Sequence, residues 1–169
     1  LEPLDTKSKI QFSRFISTYG TKGRKIDYGI EDFVVTDIDK DLQNECLFNI
    51  GAGYSLKPRK VFIYDYYDNK LIASPKSGSV IGGFIIEDFD SDGYPDITGQ
   101  TSGADNIPDT MDVPFKDQHS WLFLFDHMLR YKYPPRKFRG IGSGILVKPY
   151  KENQNLYLAV YYIDRRTNS

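Results

Sequence analysis

Two stretches of the chain present the same order of features at a fixed offset. Phe33-Val34-Val35-Thr36 runs into Asp37-Ile38-Asp39-Lys40-Asp41-Leu42-Gln43-Asn44-Glu45 and leaves it as the apolar run Cys46 to Ile50. Phe84-Ile85-Ile86 runs into the Asp88 loop, Asp88-Phe89-Asp90-Ser91-Asp92-Gly93-Tyr94-Pro95-Asp96, and Asp96 to Gln100 leaves it. Phe33 to Phe84 and Asp37 to Asp88 are both 51 positions apart, while Asp65 to Asp126 and Gly83 to Gly144 are both 61 apart. The extra ten positions fall in an insertion between Gln100 and Ser120. Each acid stretch is followed by further short strand runs, Lys60 to Asp65 and Lys70 to Ser74 around the turn Tyr66 to Asn69, and then Ser120 to Asp126 as the counterpart of Val61 to Asp65. A unit is therefore four strands with an acid loop between the first and second. Such units, recurring every ~50 to 60 residues, bury their faces against their neighbours. The expected fold is all-β: a section of a β-propeller made of four-stranded antiparallel blades. A sandwich would account for the number of strands but not for the period.

The chain of 169 residues is long enough for one domain with a sizeable core, and 15% aromatic residues, 14 Gly and 9 Pro favour short strands broken by turns. Residues 1–169 are expected to form one propeller section: a strand pair of a preceding blade over 9–28, blades over 30–80 and 81–140, and the first strands of a further blade over 141–164. A third copy is expected to start at Ile145-Leu146-Val147 and return to strand at Leu156 to Val160. Joined to the leading pair, it would close one composite blade. Three blades fall below the usual four to eight, so the ring is expected to be completed by further blades or another chain. The start Leu1-Glu2-Pro3, with neither Met nor an apolar leader, reads as that of a processed or excised piece.

Charge excludes little: 22 basic against 23 acidic residues give a net charge of −1 and no field that would draw nucleic acid or an anionic surface. No apolar run approaches the eighteen or so residues of a membrane span. Cys46, the single cysteine, stands beside Leu47 and Phe48 and is expected to be a buried structural thiol.

Four carboxylates crowded around one glycine repel each other unless a cation sits among their oxygens, and a hard ion with six to eight oxygen ligands answers that need. In the Asp88 loop Asp88, Asp90, Asp92 and Asp96 take positions 1, 3, 5 and 9, Gly93 takes position 6, and the carbonyl of Tyr94 is available at position 7. Position 12 is Gly99, where an EF-hand would need a bidentate carboxylate. In the earlier loop Asp37, Asp39, Asp41 and Glu45 take the same positions and Gln43 would give the carbonyl, but Leu42 stands where glycine is expected. A Leu at positive φ costs on the order of 1 kcal/mol or more, which marks this as the weaker site. The matching positions of the third copy are Pro149, Lys151, Asn153 and Tyr157, so that copy has lost its carboxylates, and Lys151 is placed to put a cation there.

Strand, Asp-x-Asp-x-Asp-Gly-x-x-Asp, strand, repeated at this spacing, resembles the FG-GAP or VCBS repeat of integrin α-subunit propellers and bacterial surface proteins. The resemblance spans roughly Phe33 to Val160, with one full motif match, the Asp88 loop. It implies that Asp88, Asp90, Asp92 and Asp96 hold calcium through side chains and Tyr94 through its carbonyl, chiefly to stiffen loops on one face. It further implies a calcium-binding recognition or scaffold module, extracellular, cell-surface or periplasmic, with a protein or glycan ligand and no nucleic acid.

Two other features carry alternatives. The insertion Thr101 to Gln118 contains Asp105, Asp109, Asp112 and Asp117 and, with His119 or His127, is where a polysaccharide lyase or glycosidase would place paired carboxylates; otherwise it is a solvated, proline-stiffened loop. Arg130-Tyr131-Lys132-Tyr133-Pro134-Pro135-Arg136-Lys137-Phe138-Arg139 is either a grip for an anionic polymer or an outer strand whose charges discourage edge pairing. Tyr64, Tyr66 and Tyr67 are either a carbohydrate platform or, for Tyr64 at least, core. A purely architectural segment of a larger assembly is the third expectation.

Overall fold

The computed structural model describes residues 28–52, 59–138, 140 and 143–164. Among these residues there is no helix, and antiparallel strands carry the structure. The leading strand pair expected over 9–28 lies outside the described residues except for Tyr28.

The first sheet follows chain order: β1 (Tyr28–Thr36), β2 (Glu45–Ala52), β3 (Lys60–Asp65) and β4 (Lys70–Ala73), each antiparallel to the next. β3 is a continuous apolar run rather than an alternating one because both of its faces are covered. Val61 and Ile63 enter a core shared with the second sheet, while Phe62 and Tyr64 join Cys46, Phe48 and Ile50 on the opposite face. Tyr64 is thus core, and the Tyr66 and Tyr67 rings meet in a tilted pair with centroids 4.4 Å apart. Burial, with the neighbouring Glu45 charge, pushes the Cys46 thiol up to about 11, as expected of a structural thiol.

The second sheet repeats the plan. β5 (Gly82–Glu87) pairs with β6 (Asp96–Ser102), and the run expected over Ser120 to Asp126 divides at Phe123 into β7 (Trp121–Leu122) and β8 (Leu124–Phe125). β8 pairs with β6, and Phe125 bridges to Tyr131, which takes the place of a fourth strand. The division has a cause in hydrogen bonding: Thr98 and Thr101 of β6 donate their hydroxyls to the carbonyls of Phe123 and Trp121 (2.5 and 2.7 Å). That leaves β7 free to pair with β9 (Arg136–Lys137). The two hairpin turns correspond as well. Asp65 accepts the amides of Tyr67 and Asp68, and Asp126 accepts those of Met128 and Arg130.

Both sheets bury one core, in which Leu47, Val61 and Ile63 meet Ile97, Phe123 and Phe125. Polar ties fix their relation. The Asp32 carboxylate accepts the amide of Phe84 at 2.8 Å, and the Asn49 side chain accepts the Asp32 amide and donates to the Ile81 carbonyl. Among the described residues the chain forms a four-stranded sheet beside a second sheet built on β5, β6 and β8, and no closed ring is seen.

Two expectations are corrected. The third copy does not open a separate blade among the described residues: β10 (Ser143–Glu152) and β11 (Asn155–Asp164) make a hairpin, and β10 adds to β6 through Gly144 and Ile145. Asn153 and Gln154 both adopt positive φ (49° and 67°), the conformation of a two-residue hairpin turn, so the strands meet with no room for a nine-residue loop. The insertion is not a purely solvated loop either. Ile107 and Val113 are buried, and Phe115 packs edge-on against Trp121, Phe123 and Tyr131.

Candidate metal centre

Each acid loop joins the first strand of its sheet to the second, so both lie at the same point of the repeating unit. Their backbones follow one course. Positions 4 and 6 have positive φ in both: Lys40 (68°) and Leu42 (73°) in one, Ser91 (61°) and Gly93 (92°) in the other. Leu42 therefore adopts the conformation that glycine adopts without strain, and its side chain stands in solvent at 92% exposure, where no burial is lost.

Three of the hydrogen bonds that hold this course also repeat, from the amides of positions 6, 7 and 2 to the carboxylates of positions 1, 5 and 9. The position 1 carboxylate accepts two amides across the turn, Asp37 from Lys40 and Leu42 and Asp88 from Asp92 and Gly93 (2.8 to 3.2 Å). The position 5 carboxylate accepts the amide two residues on: Asp41 from Gln43 and Asp92 from Tyr94, both at 2.8 Å. At position 9 the carboxylate turns back to the amide of position 2, Glu45 to Ile38 (2.7 Å) and Asp96 to Phe89 (3.2 Å). Each loop thus folds on its own carboxylates.

The side chains that converge differ. Oxygens of Asp37, Asp39 and Asp41 lie within 4.8 Å of one another, as do those of Asp88, Asp90 and Asp96. Ligands at the usual 2.3–2.6 Å from a calcium ion lie up to about 5 Å apart, so either trio fits a hard cation in spacing and in donor chemistry. Glu45 is not in the first trio; it is buried with its oxygen on Ile38. Asp92 is not in the second. The side chain of Gln43 donates to Asp41 at 3.0 Å, and the Tyr94 ring stacks on His127 at 4.3 Å.

A residue that the sequence reading passed over stands in the second loop. The Lys132 Nζ lies 2.5 Å from Asp96, 2.6 Å from Asp90 and 3.7 Å from Asp92. Burial alone would pull the ammonium down, but the hydrogen bonds and charges of Asp90 and Asp96 hold it above its ordinary range. Its hydrogen bond and charge hold the Asp90 carboxyl below the usual carboxylate range. Asp96 is raised, because desolvation outweighs what Lys132 returns, and Glu45 is raised by burial with the charges of Asp39 and Asp41 adding to it. Among the described residues no Lys, Arg or His lies within 4.0 Å of the Asp37, Asp39 or Asp41 carboxylates.

Other charged residues singled out in the sequence lie away from the two loops. In the basic ribbon Arg130 pairs with Asp126 at 2.7 Å, Lys132 with the loop, and Arg136 and Lys137 are exposed on β9, the Arg136 guanidinium 5.8 Å from the Phe138 ring. In the insertion, Asp117 is buried, 2.8 Å from Arg59, and accepts the amides of Asn106 and Ile107. Arg59 also donates to the Gly78 carbonyl at 2.6 Å, so the pair bolts the insertion to the first unit. Asp109 and Asp112 are exposed, and His119 accepts the Gly140 amide at 3.3 Å.

Comparison with protein-family models, with curated proteins and with solved structures returns no match to this chain.

Proposed function

We propose that this chain is a calcium-stabilised section of a β-propeller of the FG-GAP or VCBS kind, acting outside the cytoplasm as a recognition or scaffold module for a protein or glycan. The observation that carries the reading is the duplicated loop: two acid turns with one backbone course, each converging three carboxylate oxygens, each joining the first strand of its antiparallel sheet to the second. A fortuitous acidic turn would not repeat its positive φ positions and three carboxylate-to-amide hydrogen bonds 51 residues later.

Asp37, Asp39 and Asp41, with the carbonyl of Gln43, are the residues that would hold the ion in the first loop. A bound calcium ion would neutralise clustered carboxylates and fix the connection from β1 to β2, adding stability by mass action. Sites of modest affinity fill where free calcium is plentiful, which supports an extracellular or periplasmic setting. The ligand-bearing surface would then be a face of a larger assembly of blades, with the stiffened loops along one side.

The test is thermal unfolding in calcium and in chelator, for the wild type and for Asp39→Asn with Asp41→Asn. The wild type should melt higher in calcium, and the double variant should show no calcium-dependent rise. An unchanged wild-type melting temperature across the titration contradicts the reading.

A further inference from the structure

We propose that Lys132 is a tethered cation that holds the Asp88 loop in place of a metal ion, so that calcium is required by the Asp37 loop alone. The inference rests on the calcium reading of the previous section and specifies how it is divided between the two loops.

The geometry carries it. Lys132 brings one ammonium to three of the four loop carboxylates, at 2.5, 2.6 and 3.7 Å, with its side chain only 14% exposed. An ammonium has three donors, which suits a tripod of carboxylate oxygens. The stem is anchored by the backbone, since the Lys132 amide donates to the Leu124 carbonyl at 3.0 Å beside β8. The residue opposite Ile63 in the first sheet is Ile72, the position that Lys132 holds opposite Leu124. Ile72 and Ile63 line one cleft with Asp39 and Glu45, as do Lys70 and His127, neither of which comes within 4.0 Å of an Asp37, Asp39 or Asp41 carboxylate. The same structural position thus offers a charge to one loop and an apolar side chain to the other, and among the described residues the second of these is the loop with no ammonium or guanidinium within 4.0 Å of its converging carboxylates.

A tethered amine competes at the effective concentration of an intramolecular partner, of order millimolar or above. Calcium can enter the Asp88 loop only in the fraction of molecules whose Lys132 has swung out. If the amine is seated 90 to 99% of the time, apparent affinity falls roughly tenfold to a hundredfold. The second connection is then closed at any calcium concentration, and the first closes when the ion arrives. The loop with the complete motif is the one that does not need the metal.

Calcium titration calorimetry on the full chain separates the possibilities. The wild type should bind one ion, lost in Asp39→Asn with Asp41→Asn and retained in Asp90→Asn. Lys132→Met should add a second ion, which Asp90→Asn then removes. Wild-type binding abolished by Asp90→Asn, or no second ion in folded Lys132→Met, overturns the proposal while leaving the calcium reading in place. No binding to any variant sinks the calcium reading and this inference with it. Should Lys132→Met fail to fold, acylation of Lys132 in the wild type decides: its labelling rate should be the same in chelator and in calcium sufficient to fill one site. Faster labelling in calcium means that the ion displaces the amine, which overturns the proposal.

Discussion

Asp37 to Glu45 and Asp88 to Asp96 share positive φ positions, carboxylate-to-amide bonds and place in the unit, yet the fourth-strand position holds Ile72 beside one and Lys132 beside the other. The likeness comes from within the loop, because short carboxylates that accept nearby amides shape the turn whatever sits among them. The difference comes from outside it, since Lys132 reaches Asp96 across 36 positions of sequence. Counting carboxylates therefore identifies the turn, and the fourth-strand position decides whether an ammonium reaches it. The two units differ once more: the second contains the insertion, bolted back onto the first by Arg59 and Asp117.

That bolt is where the units can be separated most drastically. Asp117→Ala leaves Arg59 charged and buried, and should cost about 3–5 kcal/mol in urea unfolding. Arg59→Met in the same chain should recover part of the loss, and a cost below about 1 kcal/mol would show that the insertion is not held by this pair.

Lys132→Met comes next. In chelator it should cost about 2 kcal/mol, less than a fully buried pair because Asp90 is exposed. Calcium should restore most of that loss. A variant as stable as the wild type in chelator would show that the ammonium does not hold the loop.

Protonation offers a smaller contrast in calcium-free protein. Burial raises Glu45 from its ordinary value, so its stabilising contribution is fully present below the unfolded value of 4.5 and is lost as pH rises through the folded value. Glu45→Gln should accordingly gain on the wild type in urea midpoint between pH 4.5 and neutrality. A constant difference over that range would contradict the assignment.

The smallest effects lie at position 6 and have opposite signs. Leu42→Gly relieves a positive φ and should stabilise by a few tenths to about 1 kcal/mol, after the greater unfolded freedom of glycine is subtracted. Gly93→Ala should cost about 1 kcal/mol, although its Cβ would meet open space. Equal signs in chemical unfolding would mean that the two turns are not the same turn.

The units and loops were legible because β-branched runs, Gly93 and the fixed offset are local or periodic signals. Even Leu42 at positive φ followed from the offset alone. Lys132 was hidden because its ribbon of Lys, Arg and Tyr looks like an outer strand, and its partner lies two strands away. The hairpin turn between Asp126 and Arg130 is one residue shorter than that between Asp65 and Lys70, so the 61-residue offset brings Lys132 onto Leu71 rather than Ile72; aligning the turns would have exposed the exchange of Ile for Lys. The insertion misled for a related reason: Ile107, Val113 and Phe115 are isolated among polar residues, with no period to mark them as core. Asn153-Gln154 was read as a lost loop because sequence phase does not reveal strand register, which here runs unbroken to the turn.

A structure of the wild-type chain determined in millimolar calcium would test this division most directly. The expected result is an ion among Asp37, Asp39 and Asp41, with the Lys132 ammonium still seated on Asp90 and Asp96. An ion among Asp88, Asp90 and Asp96 with Lys132 turned out to solvent would contradict it, as would the absence of an ion from both loops.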